Sequence, residues 1–256
     1  MAPPGDGLAA LQQVLDLGQI MQAIERTALW VSPDTFRLLP VWYPEHARRA
    51  YVYQGDWSEP LRTRSRGSGH DERTREGNVY ANRALTAALG LTARQRPNWS
   101  CCHIWSADAR WAGAGNAVAQ DRRYFTCLAN MVLLPTPLKA FTDAMPEVRG
   151  MLRAGARRLY GWVCEHPDTA AEAERLDDWE AAVAYPRSWA RGDFPGVRDL
   201  TPDIRAAADR RLDALRRDLA QAGPYYPREE VRSALAYWRL DLDGQTSSNV
   251  PLTRGA

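Results

Sequence analysis

His103 stands near the end of an apolar run, Trp99 to Trp105, that reads as a strand, and Asn130 lies in a second such run, Leu128 to Leu134. The glycine- and alanine-rich stretch Ala107 to Arg123 separates them and reads as an inserted loop. Pro135 ends the second run, and Pro137 suits the first turn of a helix running towards Ala144. A histidine in such a place can take a proton from water, because its ordinary pKa leaves the imidazole able to accept at neutral pH. An asparagine on the facing strand can hold the ring through its backbone or amide and fix the tautomer. Hydroxide formed this way can attack a phosphodiester when a divalent metal neutralises the phosphate and the leaving oxygen. The plain alternative for His103 alone is a hydrogen-bonded structural residue.

The elements around this centre follow from periodicity and punctuation. Leu8 to Ile24 has helical spacing of apolar residues, interrupted by Gly18. Ala28 to Ser32 and Phe36 to Tyr43 read as short strands around Ser32, Pro33 and Asp34, with Tyr51 to Trp57 as a third. Pro60 to Gly77 reads as an exposed loop, and its Arg62, Arg64 and Arg66 alternate, so an extended chain would place them on one side. Such a loop suits phosphate contacts, or is a solvated loop balanced by Asp71, Glu72 and Glu76. Val79 to Leu89 is a helix ended by Gly90. Pro146 opens a helix that ends near Tyr160 and Gly161. The C-terminal part reads as helices over Thr169 to Ala184, from Thr201 to Gly223, and over Arg228 to Leu240. The expected organisation is therefore α+β: an N-terminal helix and small antiparallel sheet (1–90), a strand–strand–helix unit (91–165), a helical region (166–243) and a tail (244–256).

Composition narrows the class. The chain has 256 residues, 45 % hydrophobic and 25 % charged, enough for a substantial core without cross-links. No apolar run reaches the length of a membrane span, and the start shows no secretory leader. The cysteines Cys101, Cys102, Cys127 and Cys164 form no CxxC pair, which argues against a zinc ribbon and for free thiols in the cytoplasm. Net charge is only +2, and of 33 basic residues Lys139 alone is a lysine. Any basic surface must therefore be local. A cysteine nucleophile beside His103 is disfavoured, since neighbouring strand residues point to opposite faces.

The stretches CCHIW (Cys101–Trp105), DRRYFTCLANMVLLPTPLKAFTDAMPEV (Asp121–Val148) and RRLYGW (Arg157–Trp162) resemble HNH-type endonucleases, the ββα-metal finger family. The likeness lies within residues 101–162 and is closest to a bacterial group found in restriction and other DNA-defence systems. It implies a ββα finger between the N-terminal sheet and the C-terminal helices, with His103 as general base and Asn130 as the central asparagine that orients it. It implies a metal-dependent endonuclease acting on double-stranded DNA, with Mg²⁺ or Mn²⁺ as cofactor and a homodimer for symmetric targets. Two positions depart from the family pattern. Cys102 stands where an Asp, Glu or His ligand is usual, and Lys139, nine residues after Asn130, stands where His or Asn is usual. Asp143 lies one helical turn beyond Lys139 and can supply a metal ligand, with Cys102 as a second. Lys139 then serves as a phosphate clamp or as a surface residue. The same departures leave a second reading: a degenerate finger that binds nucleic acid or protein without cutting.

Arg149, Arg153 and Arg157 recur every four residues on the helix after Pro146 and line one face. They are expected to track a DNA backbone, or to form a solvated helix face. His46, His70 and His166 fall in loop-like sequence and carry no assigned role.

Overall fold

A computed structural model describes residues 5, 7–64, 70–74, 77–105 and 117–242. In chain order its elements are α1 (Gly7–Gln12), α2 (Leu17–Thr27), β1 (Trp30–Val31), α3 (Pro33–Leu38), β2 (Arg62–Arg64), β3 (His70–Glu72), α4 (Val79–Ala88), β4 (Trp99–His103), α5 (Ala117–Gln120) and β5 (Met131–Pro135). The second half carries α6 (Thr136–Ala144), α7 (Pro146–Tyr160), α8 (Ala170–Glu174), α9 (Leu176–Glu180), α10 (Arg187–Ala190), β6 (Val197–Arg198), α11 (Pro202–Gln221) and α12 (Arg228–Tyr237). The class is α+β, with helices far outnumbering strands. No helix among the described residues is long and apolar enough to cross a membrane.

The strand–strand–helix order around His103 is present. β4 and β5 pair antiparallel from Trp99 opposite Pro135 to His103 opposite Met131. β5 is also bridged on its other side, where Leu29 and Leu133 exchange both backbone hydrogen bonds. Val132, Leu133 and Leu134 are fully buried, which is why this strand reads as an unbroken apolar run. Pro135 and Pro137 turn the chain directly into α6, which packs back on both strands. After one further residue Pro146 opens α7, and Gly161 closes it in the left-handed conformation (φ 64°).

The N-terminal third differs from expectation. Phe36 to Tyr43 is not a strand: Ser32 caps the Thr35 amide, Pro33 takes the first turn, and the apolar residues Phe36 and Leu39 pack from α3 and its cap. β1 pairs in parallel with β6, not with a neighbouring hairpin. The antiparallel hairpin is instead β2 with β3, inside the arginine-rich stretch that reads as a loop. Tyr51 to Trp57 contributes only single bridges, Tyr51 to Thr74 and Tyr53 to Pro60. The first helical segment breaks at Asp16, which caps α2 through a capping box with Gln19, and not at Gly18. Thr169 to Ala184 is two short helices, α8 and α9, where one is expected.

One apolar cluster runs from Ile20 on α2 to Trp238 beyond α12, and the β4–β5–α6 unit is inside it. Trp30, Trp42, Trp105, Trp162, Trp189 and Trp238 are all fully buried. Trp30, Trp189 and Phe194 form an edge-to-face and stacked group, and Trp105, Trp162 and Trp238 form a second chain of ring contacts beyond the end of β4. A small second cluster joins α11 to α12 through Leu215, Tyr226, Val231 and Leu235.

Candidate functional site around His103

His103 closes β4 and is buried, with 8 % of its surface exposed. Its Nε2 lies 2.8 Å from the Phe125 carbonyl oxygen, and its ring stacks on the Phe125 ring at 5.5 Å and 17°. A carbonyl only accepts, so Nε2 carries the proton and Nδ1 holds a bare lone pair. Nδ1 is buried and has no hydrogen-bond partner among the described residues. Burial pushes the His103 pKa down to about 4; the Phe125 bond opposes that, and the positive charges of Arg48 and Lys139 reinforce it. The ring is neutral at neutral pH, in its proton-accepting form, and feels the charge of two cationic side chains. Arg48 is the residue that sequence reading missed. It lies in a loop far from the motif, held by its bond to Asn78 Oδ1 at 2.6 Å, and no local pattern marks it.

Asn130 is fully buried and makes no bond to the imidazole. Its Oδ1 accepts from the Trp105 amide at 2.8 Å and its Nδ2 donates to the Tyr124 carbonyl at 3.0 Å. Its own carbonyl accepts from the Ile104 amide at 3.0 Å. One side chain thus ties the chain leaving β4 to the chain that returns at Tyr124. It fixes the Tyr124–Phe125 segment whose next carbonyl holds the histidine. Asn130 is a positioning residue, acting on the ring through Phe125.

The arginine stripe of α7 faces inward. Arg149 and Arg153 are buried at 4 % and 5 % exposure. Arg153 Nε donates to the Ile104 carbonyl at 2.7 Å, and its guanidinium lies over the Trp105 ring at 5.3 Å. Arg157 bonds Asp177 and Glu180 on α9, each at 2.7 Å. Arg153 braces the strand exit behind His103 and Arg157 the α7–α9 contact, so the stripe packs into the protein and is not the solvated face that is one expectation for it. Their periodicity gave the shared face but not what it packs against. Arg62 is exposed on β2, Arg64 lies two residues along the same strand, and Arg66 is outside the described residues.

The two expected metal ligands, Cys102 and Asp143, are near enough for the carboxylate to act on the thiol, but each has another partner. Cys102 is buried, its sulfur donates to the Ser100 carbonyl at 3.7 Å, and burial raises its pKa to about 11, so it is a thiol. Asp143 is exposed and its carboxylate is bonded by Lys139 one turn earlier. Among the described residues no three His, Cys, Asp or Glu side chains gather where they can hold a metal ion. A protonated thiol and a lysine-paired carboxylate do not fit a hard cation, which takes several oxygen ligands. His46 and His166 have structural surroundings: His46 Nε2 is 3.6 Å from Glu45, and His166 caps the turn at Asp168.

The chain matches no protein-family model, no curated protein and no solved structure.

Proposed function

We propose that the chain is an HNH-like phosphodiesterase acting on double-stranded DNA, with His103 as general base. The observation that carries this reading is the imidazole itself, with Nε2 committed to Phe125 and a buried, unpartnered Nδ1. A lone pair kept without a donor is costly, and such costs concentrate at functional sites. In this reading a water molecule gives its proton to Nδ1, its oxygen attacks phosphorus, and the bond from phosphorus to the leaving sugar oxygen breaks. That oxygen takes a proton from solvent. Arg48 and Lys139 supply positive charge against the negative charge that develops. A bound phosphate raises the basicity of the nearby ring towards the working range. The Cys102 and Asp143 donor set gives no step through a metal ion. The resemblance adds a setting in bacterial restriction or phage defence, and a homodimer for symmetric targets.

The ion pair of Lys139 with Asp143 favours a second reading, a degenerate finger that binds nucleic acid without cutting it. The test is incubation with plasmid and a mixed-sequence DNA pool in Mg²⁺, Mn²⁺ or EDTA, with His103→Ala alongside. The nuclease reading expects cutting that falls by about 10²-fold or more in the variant, the usual contribution of a general base. Undiminished cutting by His103→Ala refutes it. No cutting by either protein, with both still retarding DNA in a salt-sensitive way, supports the second reading.

A further inference from the structure

A cleft of about 1130 Å³ lies between the chain entering the His103 loop and the turn joining α11 to α12. One wall is Asp121, Arg122 and Arg123; the other includes Tyr225 and Arg228; Tyr51 and Tyr53 stand between them. The same two tyrosines also wall a smaller pocket of about 220 Å³, whose other sides include Trp57, Tyr80 and His46. Tyr53 and Tyr225 are nearly parallel, with ring centres 5.4 Å apart and planes 22° apart. Tyr51 and Tyr225 are among the few large apolar side chains that stay exposed, at 51 % and 47 %. Tyr225 is held in place from behind, because its amide donates to the Trp57 carbonyl at 3.2 Å. Trp57 itself has φ 61°, a costly backbone conformation for a bulky residue, and the Gly223 amide bonds the adjacent Asp56 carbonyl at 2.7 Å.

We infer that this tyrosine-lined cleft binds an unpaired nucleobase of a DNA strand, stacked on Tyr225 and Tyr53, with the adjoining sugar-phosphate chain led along Arg122 and Arg123. The inference rests on the nucleic-acid part of the proposed function. Flat aromatic faces held by main-chain bonds are the means by which proteins bind bases without reading sequence. The smaller pocket is aromatic on several sides and of the size of one base. Arg122 donates to the Glu45 carbonyl and Arg228 to the carbonyls that end α11, and neither is paired with a carboxylate among the described residues. Arg123 is held by both oxygens of Asp121 and lies over the Tyr124 ring, so Arg122 is the less committed of the two guides. Asp121, Glu229 and Glu230 nevertheless balance the cleft's arginines, so stacking carries more of the affinity than charge. The wall formed by Arg122 and Arg123 runs straight into Tyr124 and Phe125, the two carbonyls held by Asn130 and His103.

The test uses the full chain and a twelve-nucleotide single-stranded DNA carrying 2-aminopurine. Its fluorescence is read against protein concentration for the unmodified chain, Tyr225→Ala and Tyr225→Phe. Tyr225 is half exposed, so its loss leaves the core intact. The expected result is quenching on binding, weakening of about 5- to 100-fold in Tyr225→Ala, and near-normal binding in Tyr225→Phe. Salt should weaken binding only shallowly. Equal binding by Tyr225→Ala, no binding of single strands, or equal competition by a free nucleoside monophosphate overturns the inference. Plasmid cleavage measured in parallel separates the two ideas. Cutting that depends on His103 with no role for Tyr225 sinks the base site alone. Tyr225-dependent binding without cutting sinks the nuclease reading alone.

Discussion

Replacing Asn130 by alanine removes an acceptor and a donor at once from a fully buried position. The Trp105 amide, on a fully buried residue, loses its partner, while the Tyr124 carbonyl keeps the Cys127 amide at 3.2 Å. An orphaned buried group costs about 1–3 kcal/mol, and the Tyr124 carbonyl loses one of two donors, so the expected loss is about 1–3 kcal/mol, a sizeable share of a typical folding free energy. Urea unfolding followed by tryptophan fluorescence should show a lower midpoint with an unchanged slope. Asn130→Asp should fall between the two proteins. It keeps the acceptor for Trp105 but faces the Tyr124 carbonyl with a second acceptor. An alanine variant within about 0.5 kcal/mol of the unmodified chain, the range of a featureless surface change, refutes the view that this side chain pins both ends of the loop.

Three further outcomes follow from the same contacts. The folded state holds the His103 pKa below its ordinary value of 6.5, at about 4, so the unfolded chain binds the extra proton first as pH falls. Stability from this group is therefore full above about pH 6.5 and is lost as pH falls towards 4; His103→Gln should flatten that part of a pH–stability curve. Cys102 has its pKa raised to about 11, so alkylation at neutral pH should be slow in the folded protein and Cys102→Ser should leave any DNA cleavage in place. Gly196→Ala should destabilise by about 1–3 kcal/mol in thermal unfolding, because the new Cβ is driven into the Ala28 main-chain carbonyl where β1 meets β6.

The elements nearest His103 were legible because local rules decide them. Pro137, Pro146 and Gly161 mark helix ends wherever they fall, and the unbroken Val132–Leu134 run declares a strand covered on both faces. Phe36 to Tyr43 misled because its apolar residues outweighed the Ser32–Pro33–Asp34 helix start, which is equally local. The parallel pairing of Trp30 with Val197 joins distant parts of the chain, and no sequence window contains it. The α7 arginines show the limit of periodicity. Four-residue spacing places Arg149, Arg153 and Arg157 together, but burial under Trp105 and against α9 depends on elements that come before and after. Arg48 was invisible for the same reason, and Asn130 was recognised by position while its bonds went to the main chain rather than to the ring.

The indole of Trp238 donates to the Arg123 carbonyl at 2.9 Å across a sequence separation of 115 residues, and its ring packs on Trp162 and Phe36. Time during synthesis enters here. When His103 leaves the ribosome, the tryptophan that fastens the wall beside its anchor has not been made. The strand pair, α6 and the Asn130 and His103 bonds to Tyr124 and Phe125 can form early, but the Arg123 carbonyl gains its indole partner only after α12 has emerged. A nascent chain therefore carries the residues of the centre long before the wall beside them is fastened, and a chain cut short of Trp238 lacks that fastening.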